Sequence, residues 1–453
     1  YHDPAVFQQT LVPSERLRSN ARFSVVAPIE NNPTAGRPRL GLINESGKIN
    51  INELPNLVID EEEMTYVLAG GPEELLMPID LADLILDYID AEDPPQSRMF
   101  GGESEFNKNA PLESLDELLN IEGVTREMLY GEEANQNGML DPGEDLNGDG
   151  VFQPGWTAYL TVHSMESNLR SDGTEKINLN QSLLTELYDA VSNEFGEEMA
   201  NFVVAYRMNG PLEPDVEDDG SGQSATQSGG QSLDGATQDF FSGVAKALTG
   251  ASDGSVTRGG MDLAGGAKFQ FKSIYDLVGS QVEVEQDGET TTLDSPWTED
   301  SSDMQQYLPI IMDAFSLSDE TTILGRLNIN QARYETLIGL PGMTSTLANY
   351  IISQQMIDSG GQPLTDQISL RATTGWLVIN GQIDVPTMRQ LDQFVTARGD
   401  VFRAQVIGHF DAGGPVCRLD AVIDATQQPP KVIQLRDLTD LGRGFSLPQL
   451  IQQ

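Results

Sequence analysis

Gly47-Lys48-Ile49-Asn50-Ile51-Asn52 is written three times in this chain, again as Glu175-Lys176-Ile177-Asn178-Leu179-Asn180 and as Gly325-Arg326-Leu327-Asn328-Ile329-Asn330. Each copy sets a basic residue before an apolar-Asn-apolar-Asn run. After each comes a helical pattern that aligns offset by offset: Leu81-Ala82-Asp83-Leu84-Ile85, Met199-Ala200-Asn201-Phe202-Val203 and Leu347-Ala348-Asn349-Tyr350-Ile351. Apolar residues at i, i+3 and i+4, extended by Tyr88 and Tyr206, give each helix one core-facing stripe. A short amide side chain bonds readily to nearby backbone, which would allow Asn50, Asn178 and Asn328 to cap the turns that follow them; the sequence leaves that question open. The phrase therefore marks the joints of three related helical units.

In the third copy, Tyr334 to Ile338 predicts a short helix ended by the Pro341-Gly342 turn. Two short helices around a tight turn resemble a helix-hairpin-helix, a module that holds DNA through backbone amides at a helix start. Here Thr344 stands where a second glycine is expected, and no Lys or Arg cluster follows. With 70 acidic against 26 basic residues and a formal net charge of -44, the chain repels phosphates and anionic membrane surfaces and attracts cations. A packing unit is the reading these residues favour, and nucleic acid is not an expected partner.

Alternation predicts a strand over Ala21 to Val26 and a second, short one over Arg39 to Asn44. Ser114 and Glu117 have capping-box spacing, which places a helix start, and Thr125 to Leu129 reads as another helix. Tyr159 to His163 reads as a strand, and Ile274, Leu277 and Val278 as one helical face. Val401 to Phe410, Val416 to Asp424 and Val432 to Leu438 are separated by Gly- and Pro-rich turns, which predicts an antiparallel meander. The single cysteine, Cys417, excludes an intrachain disulfide and reads as a small packed side chain. No run of about 18 apolar residues is present, which predicts a soluble chain. The three histidines lie far apart, and no nucleophile elbow, phosphate loop or zinc-protease motif occurs, so a non-enzymatic role is expected.

The strongest local chemistry runs from Glu133 to Glu144. Glu133, Asn135 and Asn137 at positions 1, 3 and 5, Gly138 at 6, the Met139 carbonyl at 7 and Glu144 at 12 follow calcium-loop grammar, with Asp141 between. Calcium takes six to eight hard oxygens on a tightly curved loop, which explains both the alternate oxygen ligands and the glycine. Asp145, Asn147 and Asp149 with Gly150 restart the pattern, and the Val151 carbonyl takes its position 7. Trp156 at position 12 leaves that loop in need of a borrowed acid, Asp141 or Glu144. A bound Ca2+ is expected here, the alternative being an acidic turn without metal. A further acidic cluster holds Asp87, Asp90, Glu92, Asp93 and Glu103. Asp87 and Asp90 share a helix face, which also suits a solvated helix end.

Taken in order, the Asn phrase at residues 47–52, Asp87 to Asp93 followed by Gly102-Glu103, Ser114 to Gly123, and Tyr159 to Ser164 resemble the type II secretion minor pseudopilin K family. Tyr88 stands where that family often has Trp, and Gly101-Gly102-Glu103 where it often has Gly-Ala-Glu. The resemblance implies an α+β fold: a pilin-like antiparallel sheet domain with a large inserted α-helical domain containing helix-hairpin-helix-like repeats, plus a C-terminal β-meander. The expected division is a pilin-like part over 1–52, the inserted helical domain with the calcium loops over 53–158, and a return strand with the second repeat over 159–212. A flexible linker over 213–265, the third repeat over 266–400 and the meander over 401–453 follow. The resemblance also implies a non-catalytic role at the tip of a periplasmic pseudopilus, with other minor pseudopilins as partners. It implies calcium sites that include Asp90, Asp93 and Glu103, and an inner-membrane anchoring helix upstream of Tyr1. A calcium-binding envelope scaffold unrelated to secretion is the competing reading, and a DNA-uptake protein a weaker one.

Overall fold

Strand β2 (Ala21–Ala27), the alternating stretch near the start of the chain, finds its partner near the other end. It pairs on one side with β1 (Thr10–Val12) and on the other with β3 (Val401–Phe410), which continues to β4 (Cys417–Asp424) and β5 (Lys431–Asp437). All these pairings are antiparallel, and Val406 of β3 lies between Val25 of β2 and Leu419 of β4. The short strands Arg39–Leu40 and Ile43–Asn44 extend the sheet by pairing with β2 and β3. Helices join this antiparallel sheet in an α+β arrangement. Val26, Leu40, Ile407, Phe445 and Leu450 form a core cluster, to which the loop residue Met139 contributes its side chain.

A computed structural model describes residues 3–13, 20–27, 38–58, 60–90, 108–141, 143–145, 148–212, 256–286, 289–355, 371–410 and 414–451. The chain divides into two units, each assembled from separate stretches. The first takes Tyr1–Ser167, Thr322–Thr374 and Phe394–Gln453, and so contains the sheet; the second takes Asn168–Thr321 and Gly375–Gln393. No helix among the described residues is long and apolar enough to cross a membrane.

Each Asn phrase leads into a pair of packed helices. Helices α1 (Glu61–Ala69) and α2 (Ile79–Ile89) follow the first copy, α3 (Leu184–Phe195) and α4 (Glu197–Asn209) the second, and α5 (Tyr334–Leu337) and α6 (Ser345–Gln354) the third. The first and third pairs belong to the first unit and the second pair to the second unit. Ala82, Ala200 and Ala348 are fully buried at equivalent positions, and so are Ile85, Val203 and Ile351. Alanine there removes side-chain bulk where the helix meets its neighbours, and the branched residue one turn on fills the core. Asp60 caps α1 by accepting from the Glu63 amide, and Gly70 ends that helix in the left-handed region at φ 80°. Thr344, which replaces the expected turn glycine, caps α6: its Oγ1 accepts from the Leu347 amide at 3.2 Å.

Several local expectations change. The stretch around Ile274 is a single 3-10 turn, Ile274–Leu277, headed by a Ser273/Asp276 capping box. Strand Gln281–Gln286 follows and pairs with Glu289–Asp294. Buried Val282 and Val284 alternate with exposed Gln281 and Glu283, a period of two that outweighs the helical reading. Ser114 and Glu117 do form their capping box, on the 3-10 helix Leu115–Asn120. Cys417 is exposed rather than packed, because it opens β4 opposite Gly408, which offers no side chain to cover it. The linker expected over 213–265 lies outside the described residues up to 255. Its end forms a small hairpin, Thr257–Arg258 against Met261–Asp262, with Met261 buried.

Candidate functional site

The three Asn phrases make the same turn. In each, the first Asn bends the chain by accepting a backbone amide two residues on: Asn50 Oδ1 from Asn52 at 3.1 Å, Asn178 Oδ1 from Asn180 at 2.8 Å and Asn328 Oδ1 from Asn330 at 3.0 Å. This is an Asx turn. The apolar residue between the two asparagines, Ile51, Leu179 or Ile329, is fully buried. The second Asn then bridges two distant segments. Asn52 Nδ2 donates to the carbonyls of Leu112 and Val162, Asn180 Nδ2 to those of Phe271 and Leu317, and Asn330 Nδ2 to those of Arg371 and Ala397. Asn52 and Asn180 also accept from the amides of Leu112 and Phe271. Asn330 Oδ1 is buried with no partner.

Each phrase forms a two-residue parallel ladder with a later segment: Ile49–Asn50 with Leu160–Thr161, Ile177–Asn178 with Phe315–Ser316, and Leu327–Asn328 with Val395–Thr396. The Ser or Thr of the later segment meets a buried polar side chain. In the first copy this is Glu45, whose Oε2 accepts from Thr161 at 2.6 Å while Oε1 accepts from Lys48 and Arg403, both at 3.0 Å. Arg403 continues to Asp420 at 2.7 Å. Burial alone would raise the Glu45 carboxyl; the Arg403 and Lys48 charges outweigh it and hold the group far below the usual carboxylate range. In the third copy Glu166 accepts from Arg326 at 2.7 Å and from Thr396 at 2.8 Å. In the second copy an amide takes that place: Asn168 donates to Ser316 Oγ at 2.7 Å, and Lys176 donates to the Met312 carbonyl at 2.9 Å. These clasp residues are absent from the motif reading. The one signal for them is the apolar-hydroxyl pair Leu160-Thr161, Phe315-Ser316 and Val395-Thr396, too common a pattern to stand out alone.

The Glu133 to Glu144 loop is held by a dense set of internal bonds. Glu133 Oε1 accepts from the Gly138 amide, and Gly138 adopts φ 75°, the sharp turn expected of position 6. Glu144 turns inward: Oε1 accepts from the Ala134 and Asn135 amides and Oε2 from Asp141. Asn135 and Asn137 both donate to Asp141 Oδ2, at 2.8 and 2.7 Å. Asn135 Oδ1 is buried without a partner. Burial, with the Glu144 charge adding to it, pushes the Glu133 carboxyl up to about 7. Met139 anchors the loop in the sheet core, and the fully buried Arg418 of β4 donates to the Gln136 carbonyl at 2.6 Å.

The second loop is more exposed. Asp145 accepts from the amides of Gly148 and Gly150, and Asp149 from that of Val151. Asn147 lies outside the described residues, as do Asp93 and Glu103. Asp87 is half-buried on α2, and Asp90 follows its last residue. Among the described residues no three His, Cys, Asp or Glu side chains come together closely enough to hold a metal by themselves. Any cation in the first loop would therefore lean on amide and carbonyl oxygens as well as carboxylates. Comparison of the chain with protein-family models, with curated proteins and with solved structures found no match in any of the three.

Proposed function

We propose that this chain is a non-catalytic minor pseudopilin K, a tip and assembly component of a type II secretion pseudopilus that supports export of folded proteins from the periplasm. The observation that carries the reading is the closure of one antiparallel sheet by the two ends of the chain, β2 against β3, with the helical modules inserted between them. That layout is what a pilin-like sheet domain split by a large insertion requires. The repeated helix pairs act as helix-hairpin-helix-like packing units, and the Asn turns set the direction in which each pair leaves its ladder. Partners are other minor pseudopilins, with an inner-membrane helix as the anchor.

Calcium fits the first loop. The orphaned, buried Asn135 Oδ1 is an unused hard donor, and Glu133 and Glu144 repel each other in a site that burial has taken out of water. Glu133, Asn135, Asn137, the Met139 carbonyl, Asp141 and Glu144 would hold the ion, with Asp145, Asn147, Asp149 and the Val151 carbonyl serving the second loop. The ion supplies the positive charge that allows both glutamates to ionise together and stiffens the loop against the sheet.

Two measurements test this. The full chain, mixed at micromolar concentration with the soluble parts of two other minor pseudopilins, should elute with them as one complex; elution of every component alone would overturn the assembly role. Chelation should lower the thermal midpoint by about 5 °C or more, as expected for a ligand well above its dissociation constant. An unchanged midpoint, with no calcium found by elemental analysis, would remove the metal from the reading.

A further inference from the structure

The first unit contains a cavity of ≈ 150 Å³ whose wall carries four basic side chains, Lys48, Arg333, Arg403 and Arg436. In a chain with 70 acids and 26 bases this is a local inversion of charge. Three of the four are committed. Lys48 and Arg403 bind Glu45, Arg403 also binds Asp420, and Arg436 reaches Asp116 at 3.4 Å and the Tyr130 hydroxyl at 3.3 Å. Arg333 is different. Its guanidinium lies over the Tyr159 ring, 5.4 Å from the centroid, and makes no ion pair or hydrogen bond among the described residues. The rest of the wall mixes polar groups with apolar side chains, Val26, Ile43, Leu115, Phe152 and Leu438 among the latter.

We propose that this cavity binds a carboxylate carried on an apolar group about the size of a benzene ring, with the Arg333 guanidinium gripping the carboxylate. A cavity of about this volume holds one benzene-sized group. A guanidinium presents a planar fork that matches a carboxylate, and that of Arg333 lies over the Tyr159 ring. The acids on the wall set the charge of the ligand. Among the described residues Asp420 and Asp116 are paired with Arg403 and Arg436, and Arg333 is the basic side chain of the wall that has no ion pair. A monoanion matches it; a phosphate dianion would be left with excess charge beside three carboxyl groups. The same chemistry is offered by a free aromatic acid and by the C-terminal residue of a polypeptide. The inference does not depend on the pseudopilin reading, because it uses only the cavity and its wall.

Calorimetric titration of the full chain with phenylacetate and with phenylacetamide tests it. The acid should bind saturably and at least about tenfold more tightly than the amide, the worth of one charge-assisted hydrogen bond. Arg333→Gln should abolish that preference, and Arg333→Lys should retain part of it, with the thermal midpoint unchanged in both. A peptide ending in Phe with a free carboxylate, against its amidated form, identifies the source. Tighter binding of the free-acid peptide than of phenylacetate points to a polypeptide terminus, and its exclusion points to a small molecule. Equal affinity for acid and amide, no saturable binding of either, or full acid preference in Arg333→Gln would overturn the proposal.

Discussion

The first and second Asn modules make the same turn with different electrostatics. Around Asn50, a hydroxyl and two cations converge on the buried Glu45; around Asn178, the corresponding hydroxyl of Ser316 meets the neutral amide of Asn168. The Asx turn, the buried apolar residue and the helix pair are common to both, so charge is not what forms the turn. What charge adds is reach. Glu45 passes through Arg403 on β3 to Asp420 on β4 and ties its module to the sheet. Asn168 instead satisfies local acceptors, the Ser318 and Glu320 carbonyls and Ser316. The third module lies between the two, pairing the acid Glu166 with the partly exposed cation Arg326.

The comparison breaks most visibly at Glu45. Replacing it with Ala leaves Lys48 without its buried counter-charge and Arg403 with Asp420 alone, which costs about 3–5 kcal/mol. Denaturant unfolding should show that loss in the transition of the unit that contains the sheet. A change below about 1 kcal/mol, the level of an exposed pair, would mean that the network does not tie the module to the sheet. The pH dependence separates charge from shape. The folded carboxyl is depressed below its ordinary value of 4.5, so its contribution is complete above that pH and is lost as pH falls toward the folded value. Stability measured for the parent chain and for Glu45→Gln should therefore differ most near neutrality and converge in acid. A constant difference across the range would assign the effect to packing.

Glu166→Gln should cost less, about 1.5–3 kcal/mol, the worth of hydrogen bonds to a charged group. Arg326 is 23% exposed, so water reaches it already, and the amide can still accept from Thr396. A cost equal to that of Glu45→Ala would show that the third module is tied as tightly as the first and would remove the gradient between them.

How much of this was legible depended on how far apart the cooperating residues are. The Asn phrase and its helix are local, so repetition alone revealed them, and the turn at Asn50 uses a backbone amide only two residues on. The Glu133 to Glu144 turn was legible for the same reason: the residues that bond within it lie within twelve positions, and Gly138 marks the bend. The clasp was not. Glu166 lies far in sequence from Arg326 and Thr396, and nothing in its neighbourhood distinguishes it from the many surface acids. Arg418 is equally hidden, because its partner carbonyl at Gln136 is brought to it only by the sheet. Near Ile274, apolar residues spaced three and four apart suggested a helix, yet the next few residues alternate. Short apolar runs leave the two periods hard to separate until a pairing strand is seen.

The smallest effect belongs to the neutral clasp, and it is the most discriminating. Asn168→Ala removes a side chain that donates to Ser316 Oγ and to two backbone carbonyls, but Ser316 Oγ keeps its own bond to the Ser318 carbonyl. No charge is left unpaired, so the cost should be about 1–2 kcal/mol in the unit that contains the second module. Neither Asn nor Ala titrates, so the stability difference should stay flat between neutral and acid pH while that of Glu45→Gln collapses. A flat profile would show that one backbone turn is held by two chemistries with separate pH responses. A difference that instead shrank in acid would mean that a nearby carboxylate shares the load, and the contrast between the modules would then be one of degree.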